Sequence, residues 1–221
     1  PCEFEAYCSY TQGFYGNEGG KGCTPDDGLS TAYNMMYAAI VANGGQFDFG
    51  SGSKVFRLTQ ADITSGDIFK MLPGGGKASA LKGFATYSDP NSWKNVPLVS
   101  KGKKAGSIKN VLLSQTMTLF FNIELNDRLG NWTLQSEFYT SALTGCGVEE
   151  AYLETETFNI PQSVIDYLDS SFQGGATVEN LFELANLALG GDYIASLSHS
   201  AINNAVDAIN RGFDDCRVLK D

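Results

Sequence analysis

Ser107-Ile-Lys-Asn-Val-Leu-Leu-Ser-Gln-Thr-Met-Thr-Leu-Phe-Phe-Asn-Ile-Glu-Leu-Asn-Asp-Arg128 is the stretch on which the reading of the fold turns. Its apolar residues, Ile108, Val111, Leu112, Leu113, Met117, Leu119, Phe120, Phe121, Ile123 and Leu125, leave no wide polar face on a 3.6-residue helix. Such a helix is surrounded by protein, so the segment predicts the buried spine of a core. Gln115 and Asn122 within it need hydrogen-bond partners, because a buried amide left without them costs stability. Ser114, Gln115, Thr116, Thr118, Asn122 and Glu124 interrupt the apolar run, which falls short of the roughly 20 apolar residues a bilayer requires. Membrane insertion is not expected.

On the C-terminal side, Asn131 to Tyr139 and Glu150 to Asn159 read as strands. In the second, Tyr152, Glu154, Glu156 and Phe158 alternate with Leu153, Thr155 and Thr157, the pattern of an edge or a solvent face where charge discourages pairing. The C-terminal third, 160–216, reads as helices over Pro161 to Leu168, Thr177 to Leu189 and Ser198 to Phe213. Thr177 offers a cap and Gly190-Gly191 a stop. On the N-terminal side, Leu29 to Ala42 is a helix capped by Ser30 or Thr31, Lys54 to Gln60 alternates like a strand, and a short helix follows around Asp62 to Lys70. Pro73-Gly74-Gly75-Gly76 reads as a flexible turn that opens an irregular, lysine-rich region over 73–106. Residues 1–28, rich in Gly, Tyr and Cys, read as a loop pinned by a disulfide. The expected fold is α+β: a single disulfide-braced domain with a central buried helix, a small, mostly antiparallel sheet and a helical C-terminal third.

A chain of 221 residues buries roughly 70% of its unfolded surface, and 43% hydrophobic with 18% charged residues is a globular composition. Five cysteines, Cys2, Cys8, Cys23, Cys146 and Cys216, show no C-x-x-C spacing, and His199 is the only histidine, which disfavours zinc and redox sites. Two structural disulfides and an oxidising compartment follow, with connectivity open and Cys2 free or bonded to another chain. The start at Pro1, with no basic-then-apolar leader, suggests a processed product.

Net charge is −10, unevenly distributed. Residues 1–76 carry four cations and eight anions, 77–123 seven lysines and one aspartate, and 124–221 four cations and sixteen anions. The island of Lys77, Lys82, Lys94, Lys101, Lys103, Lys104 and Lys109 contains no arginine, and the overall charge repels phosphate, so nucleic acid is not an expected partner. The island reads first as a solvated lysine-rich surface and second as a surface attracted to an acidic face of a neighbouring molecule.

Catalytic sets are hard to assemble. His199 lies among Ser196, Ser198 and Ser200 at a helix start, and no G-x-S-x-G elbow accompanies it. Pro73-Gly-Gly-Gly-Lys77 lacks the Ser or Thr of a phosphate-binding loop. Glu124, Glu137, Glu154 and Glu156 could serve a carboxylate-based glycoside hydrolase. Asp26-Asp27 or Asp214-Asp215 could donate oxygens to calcium, although neither fits an EF-hand loop; no other cofactor is expected. Trp93, Trp132 and the Tyr10 to Tyr15 cluster could stack on carbohydrate or anchor a protein interface.

Cys8-Ser9-Tyr10-Thr11-Gln12-Gly13-Phe14 resembles the Cys-x-Tyr-Thr-Gln-Gly-(Phe/Tyr) modules of secreted and surface proteins from type IX-secreting bacteria. Asp67-Ile-Phe-Lys-Met-Leu-Pro-Gly-Gly-Gly76 and the segment from Ala176 through Cys216 look similar to those modules too, so the resemblance spans nearly the whole chain. It implies one extracellular module in which Cys8, Cys23, Cys146 and Cys216 form disulfides, with Cys2 extra, and it brings no catalytic residues with it. The expectation is a noncatalytic, secreted structural protein, a subunit of a surface filament, appendage or adhesive layer. It would contact copies of itself or other surface proteins head to tail. Candidate interface residues are Cys2, Tyr10, Phe14, Tyr15, Trp93, Lys101, Lys103, Lys104 and Trp132. The alternatives are a carbohydrate-binding or adhesin module and the glycoside hydrolase.

Overall fold

In the computed structural model, which describes residues 6–24, 28–96, 98–143, 154–192, 194 and 197–220, the elements up to the spine are β1 (Ala6–Tyr7), α1 (Gln12–Tyr15), β2 (Lys21–Cys23), β3 (Leu29–Thr31), α2 (Ala32–Ala42), β4 (Gln46–Ser51), β5 (Lys54–Thr59), α3 (Gln60–Thr64), α4 (Ile68–Met71) and β6 (Ala85–Thr86). After them come α5 (Val111–Leu125), α6 (Asp127–Gly130), β7 (Glu137–Ala142), β8 (Thr155–Asn159), α7 (Gln162–Ser171), α8 (Val178–Gly190), α9 (His199–Gly212) and β9 (Arg217–Lys220).

The predicted spine is α5, buried continuously from Leu112 through Asn122. Its end is earlier than the apolar pattern suggests. Asn126 turns extended and caps α6, its side chain accepting from Arg128 N, so one expected helix becomes two. Helices α2, α8 and α9 pack around α5, and α7 packs on α8 and α9. Local caps hold as read: Thr177 Oγ1 accepts from Asn180 N at 3.2 Å, and Gly191 closes α8 in the left-handed region at φ 78°.

Three sheets form among the described residues. The largest is antiparallel, in the order β1-β9-β7-β8. A second joins β4 and β5 antiparallel, with β6 parallel to β5, and β2 pairs with β3. One cluster of buried apolar side chains runs from Tyr7 to Phe213. The protein is therefore an α+β domain braced by disulfide chemistry.

Several expectations need correction. Leu29 to Thr31 is a strand, and the helix starts only at Ala32, with Thr31 as its cap. The helix read over Asp62 to Lys70 splits into α3 and α4 at Gly66, whose φ of 78° no continuous helix allows. The strand read from Asn131 starts at Glu137, because Trp132 is drawn into the core and Thr133 bridges to Thr177 instead. Of the second predicted strand, residues 150–153 lie outside the described residues and Thr155–Asn159 is β8, an edge as its acids suggested. The glycine turn is held rather than loose: Gly74 N donates to Gln12 Oε1 and Gly75 N to Ile108 O, both at 2.9 Å.

Cys8 and Cys216 form a disulfide across a separation of 208 residues. Cys23 is also disulfide-bonded. Cys2 and Cys146 lie outside the described residues.

Candidate functional site

Apart from β6 on β5, the lysine-rich region is held by hydrogen bonds outside the named strands. Ile108 N donates to Met71 O at 3.0 Å, Lys82 N to Asn95 O at 2.9 Å and Val99 N to Ser107 O at 2.9 Å. The side chain of Asn110, the last residue before α5, donates to Ser79 O at 2.7 Å. These bonds order the segment that carries Lys77, Lys82, Lys94, Lys101, Lys103, Lys104 and Lys109, all seven exposed, with Lys109 two residues before α5. None of them forms an ion pair among the described residues, where the pairs are Arg57–Asp48, Lys70–Asp67, Arg211–Asp207 and Arg217–Glu156.

The C-terminal end of α5 leads toward a sheet with exposed acids. Leu125, its last residue, packs against the cluster of Cys8, Cys23 and Cys216. The chain then passes through α6 into β7 and its sheet, where Glu137, Glu154, Glu156 and Asp215 are exposed. Arg217 is spent internally there: it is buried, donates to Thr140 Oγ1 at 2.8 Å and pairs with Glu156 at 3.1 Å. At 1.5 Å per residue, fifteen helical residues set the two ends about 22 Å apart.

Beside the cysteine cluster lies Asp214, whose carboxyl is pushed up to about 6, first by burial and then by the charge of Asp215. Asp215 accepts from Tyr10 OH at 3.1 Å, and Tyr10 OH also donates to Cys23 O at 2.6 Å. Burial, followed by Asp215, holds the Tyr10 phenol well above its ordinary range. The Asp214-Asp215 pair is thus part of a packed terminus. Among the described residues no three His, Cys, Asp or Glu side chains are placed to hold a metal ion, and Asp26-Asp27 lie outside them.

Burial removes several candidate interface residues from the surface. Tyr10, Tyr15 and Trp132 are 2%, 0% and 6% exposed, so their aromatic area serves the core. Phe14 stacks on Tyr10, centroids 3.9 Å apart, and is half-buried. Trp93 is half-buried, packed on Tyr87, with Nε1 donating to Tyr87 O at 3.0 Å. Lys101, Lys103 and Lys104 are exposed as expected, and Cys2 lies outside the described residues.

The carboxylates considered for hydrolysis do not converge. Glu124, Glu137, Glu154 and Glu156 are all exposed, and none lines the hollows beside His199, beside Trp132 or beside the Pro73–Gly76 turn. His199 donates from Nε2 to Ala188 O at 3.1 Å, closing the end of α8, and borders a hollow of about 330 Å³ with Asp192, Ile194 and Ile202. The uncharged outer side of α2 went unnoticed in the sequence. Tyr33, Tyr37 and Val41 recur at a spacing of four, Leu29 precedes them at the same interval, and Leu29 and Val41 are 76% and 47% exposed. Its signal was the absence of any charge from Ala32 to Ala42.

With this geometry in hand, comparison with known proteins adds no relative: no family model, no curated protein and no solved structure matches the chain.

Proposed function

We propose that the protein is a noncatalytic extracellular structural subunit that joins copies of itself, or other surface proteins, head to tail to build a filament or adhesive layer. One observation carries the reading: seven exposed lysines without ion-pair partners among the described residues lie within residues 77–109, and exposed carboxylates, Glu137, Glu154, Glu156 and Asp215, lie on or beside the largest sheet. Surfaces of opposite charge attract between copies, and a heterologous contact that does not close yields an open fibre. The uncharged outer side of α2, with Tyr33, Tyr37 and Val41, supports the same reading, since apolar surface adds lasting contact where charge steers the approach. Disulfide bonding agrees with an oxidising compartment. Among the described residues no helix is long and apolar enough to cross a membrane.

Sedimentation and electron microscopy over a salt series test the proposal. Assemblies should form at low salt and shorten as salt screens the contact. Charge reversal at Lys101, Lys103 and Lys104 together should leave the protein monomeric without changing its circular dichroism. Monodisperse particles at every salt and protein concentration would refute it.

A further inference from the structure

We infer that β8 is a pairing edge: two copies of the chain join antiparallel along it, across a two-fold axis at Thr157, into one continuous sheet. β8 ends the largest sheet, with β7 on one side and no strand on the other among the described residues. The direction of its free backbone groups follows from one bond. Ile160 N donates to Ser136 O at 2.9 Å, and opposed residues of an antiparallel pair alternate between exchanging hydrogen bonds and exchanging none. Counting back by twos, Phe158 and Glu156 turn their N–H and C=O toward Phe138 and Thr140 of β7. Thr155, Thr157 and Asn159, all exposed, therefore turn theirs outward, where no backbone group among the described residues meets them. Protein edges are commonly blunted by lysine, proline, a bulge or a covering element. β8 keeps an unbroken register, holds no Lys or Pro, and meets α9 through the face that carries Phe158. Its acids do not blunt it either: Glu154 precedes the strand, and Glu156, the only charge within it, is paired with Arg217 at 3.1 Å. By contrast β1, at the opposite edge, has two residues, and β4, an edge of the second sheet, is packed by α8, whose Asn186 accepts from Gly50 N at 2.9 Å.

The sequence of the strand selects a second copy as the occupant. In an antiparallel pairing centred on Thr157, Thr157 faces the partner's Thr157 and Thr155 faces the partner's Asn159, so every outward N–H of the edge meets an outward C=O. Glu156 then faces the partner's Phe158, and the two Glu156 residues stand diagonal, roughly 7 to 8 Å apart. Each keeps Arg217 of its own chain, so neither enters the contact as a bare charge. Neighbouring registers are worse. Sliding one way sets Glu156 against the partner's Glu156 or the partner's Glu154, like charges directly opposite. Sliding the other way draws in Pro161, which has no N–H to give. The contact is isologous and made by the main chain, so it is separate from the head-to-tail contact between charged surfaces and is not screened by salt. Five residues make a small interface, so the pair is dissociated at micromolar protein and fills toward about 1 mM.

Sedimentation and backbone amide exchange of the full-length protein in about 0.5 M salt, from dilute solution to about 1 mM, test the pairing. A monomer to dimer equilibrium is expected. Exchange at Thr155, Thr157 and Asn159 should slow as the dimer forms, while Glu156 and Phe158, already bonded to β7, should not respond. Thr157→Pro removes an outward N–H from each copy and leaves the β7 ladder intact, as edge prolines do, and should weaken the dimer about tenfold or more. Thr157→Lys and Thr157→Glu alter an exposed side chain; each alone should abolish the dimer by setting like charges face to face, and mixing the two should restore it. Only a two-fold axis at position 157 gives that rescue. A monomer at about 1 mM, a dimer that Thr157→Pro leaves unweakened, or protection spread evenly along β8 would overturn the inference. Filaments at low salt with no dimer at high salt would refute the edge pairing alone. A dimer at high salt with no filaments at low salt would refute the head-to-tail reading alone.

Discussion

Asn122 uses all four hydrogen-bonding capacities of its amide inside the core. Oδ1 accepts from Tyr10 N at 2.8 Å and Tyr15 OH at 2.9 Å, and Nδ2 donates to Tyr10 O and to Asn210 Oδ1, both at 2.9 Å. Asn210 passes the network to Gln115, whose Nε2 reaches Asp207 at 2.6 Å. One side chain thereby clamps the N-terminal segment to α5 and α9. Asn122→Ala would strand a buried N–H, a phenol and an amide, so a loss of roughly 3 kcal/mol or more is expected, read as a lowered denaturant midpoint. A midpoint shift below about 1 kcal/mol would mean that water replaces the amide. Asp214 supplies a pH dependence. Its carboxyl is raised by burial and by Asp215, while Thr11 and Arg217 pull the other way, giving about 6 in the folded chain. The neutral acid is therefore the form the fold favours, and the associated stability, full below the ordinary aspartate range, is lost as pH rises through about 6. Asp214→Asn should raise the melting temperature at neutral pH and leave it nearly unchanged near pH ~4. Equal effects at both pH values would contradict this. The amides of Gln115 and Asn122 were legible as groups needing partners; the partners were not, since Tyr10 and Asn210 lie 112 and 88 residues away from Asn122.

At the scale of elements, α9 meets the large sheet through a glycine. An ideal Cβ on Gly212, the last residue of α9, would lie 2.6 Å from the Phe138 ring of β7, and Gly212 O accepts from Thr140 Oγ1 at 2.7 Å. Gly212→Ala should push helix and strand apart at a cost of about 1 to 3 kcal/mol, visible in thermal unfolding and in faster amide exchange along β7 and β9. An unshifted transition would show that the Phe138 ring can swing aside. Caps were the most readable features here, at Thr31, Thr177 and Gly191, because a cap is settled within three or four residues. Strands β1 and β9 were not readable. With two and four residues they are too short to show alternation, and they exist because each finds the other across nearly the whole chain, Ala6 against Val218.

Over the whole molecule, the Cys8–Cys216 bond joins the two chain ends beside the C-terminal end of α5. Closing 208 residues restricts the unfolded chain strongly, so Cys8→Ser with Cys216→Ser should cost roughly 3 to 5 kcal/mol, measured as the shift in guanidinium midpoint against the native protein. A shift under about 1 kcal/mol would assign the bracing to the Asn122 network instead. The sequence alone determined the α+β class, the buried spine, the capped C-terminal helices and the lysine island, all of which depend on periodicity, caps or composition within a short window. Only the tertiary structure decided which aromatics leave the surface, that Cys8 pairs with Cys216 and which distant residues satisfy Asn122. Those outcomes depend on contacts between residues far apart along the chain, whose identity local pattern does not carry.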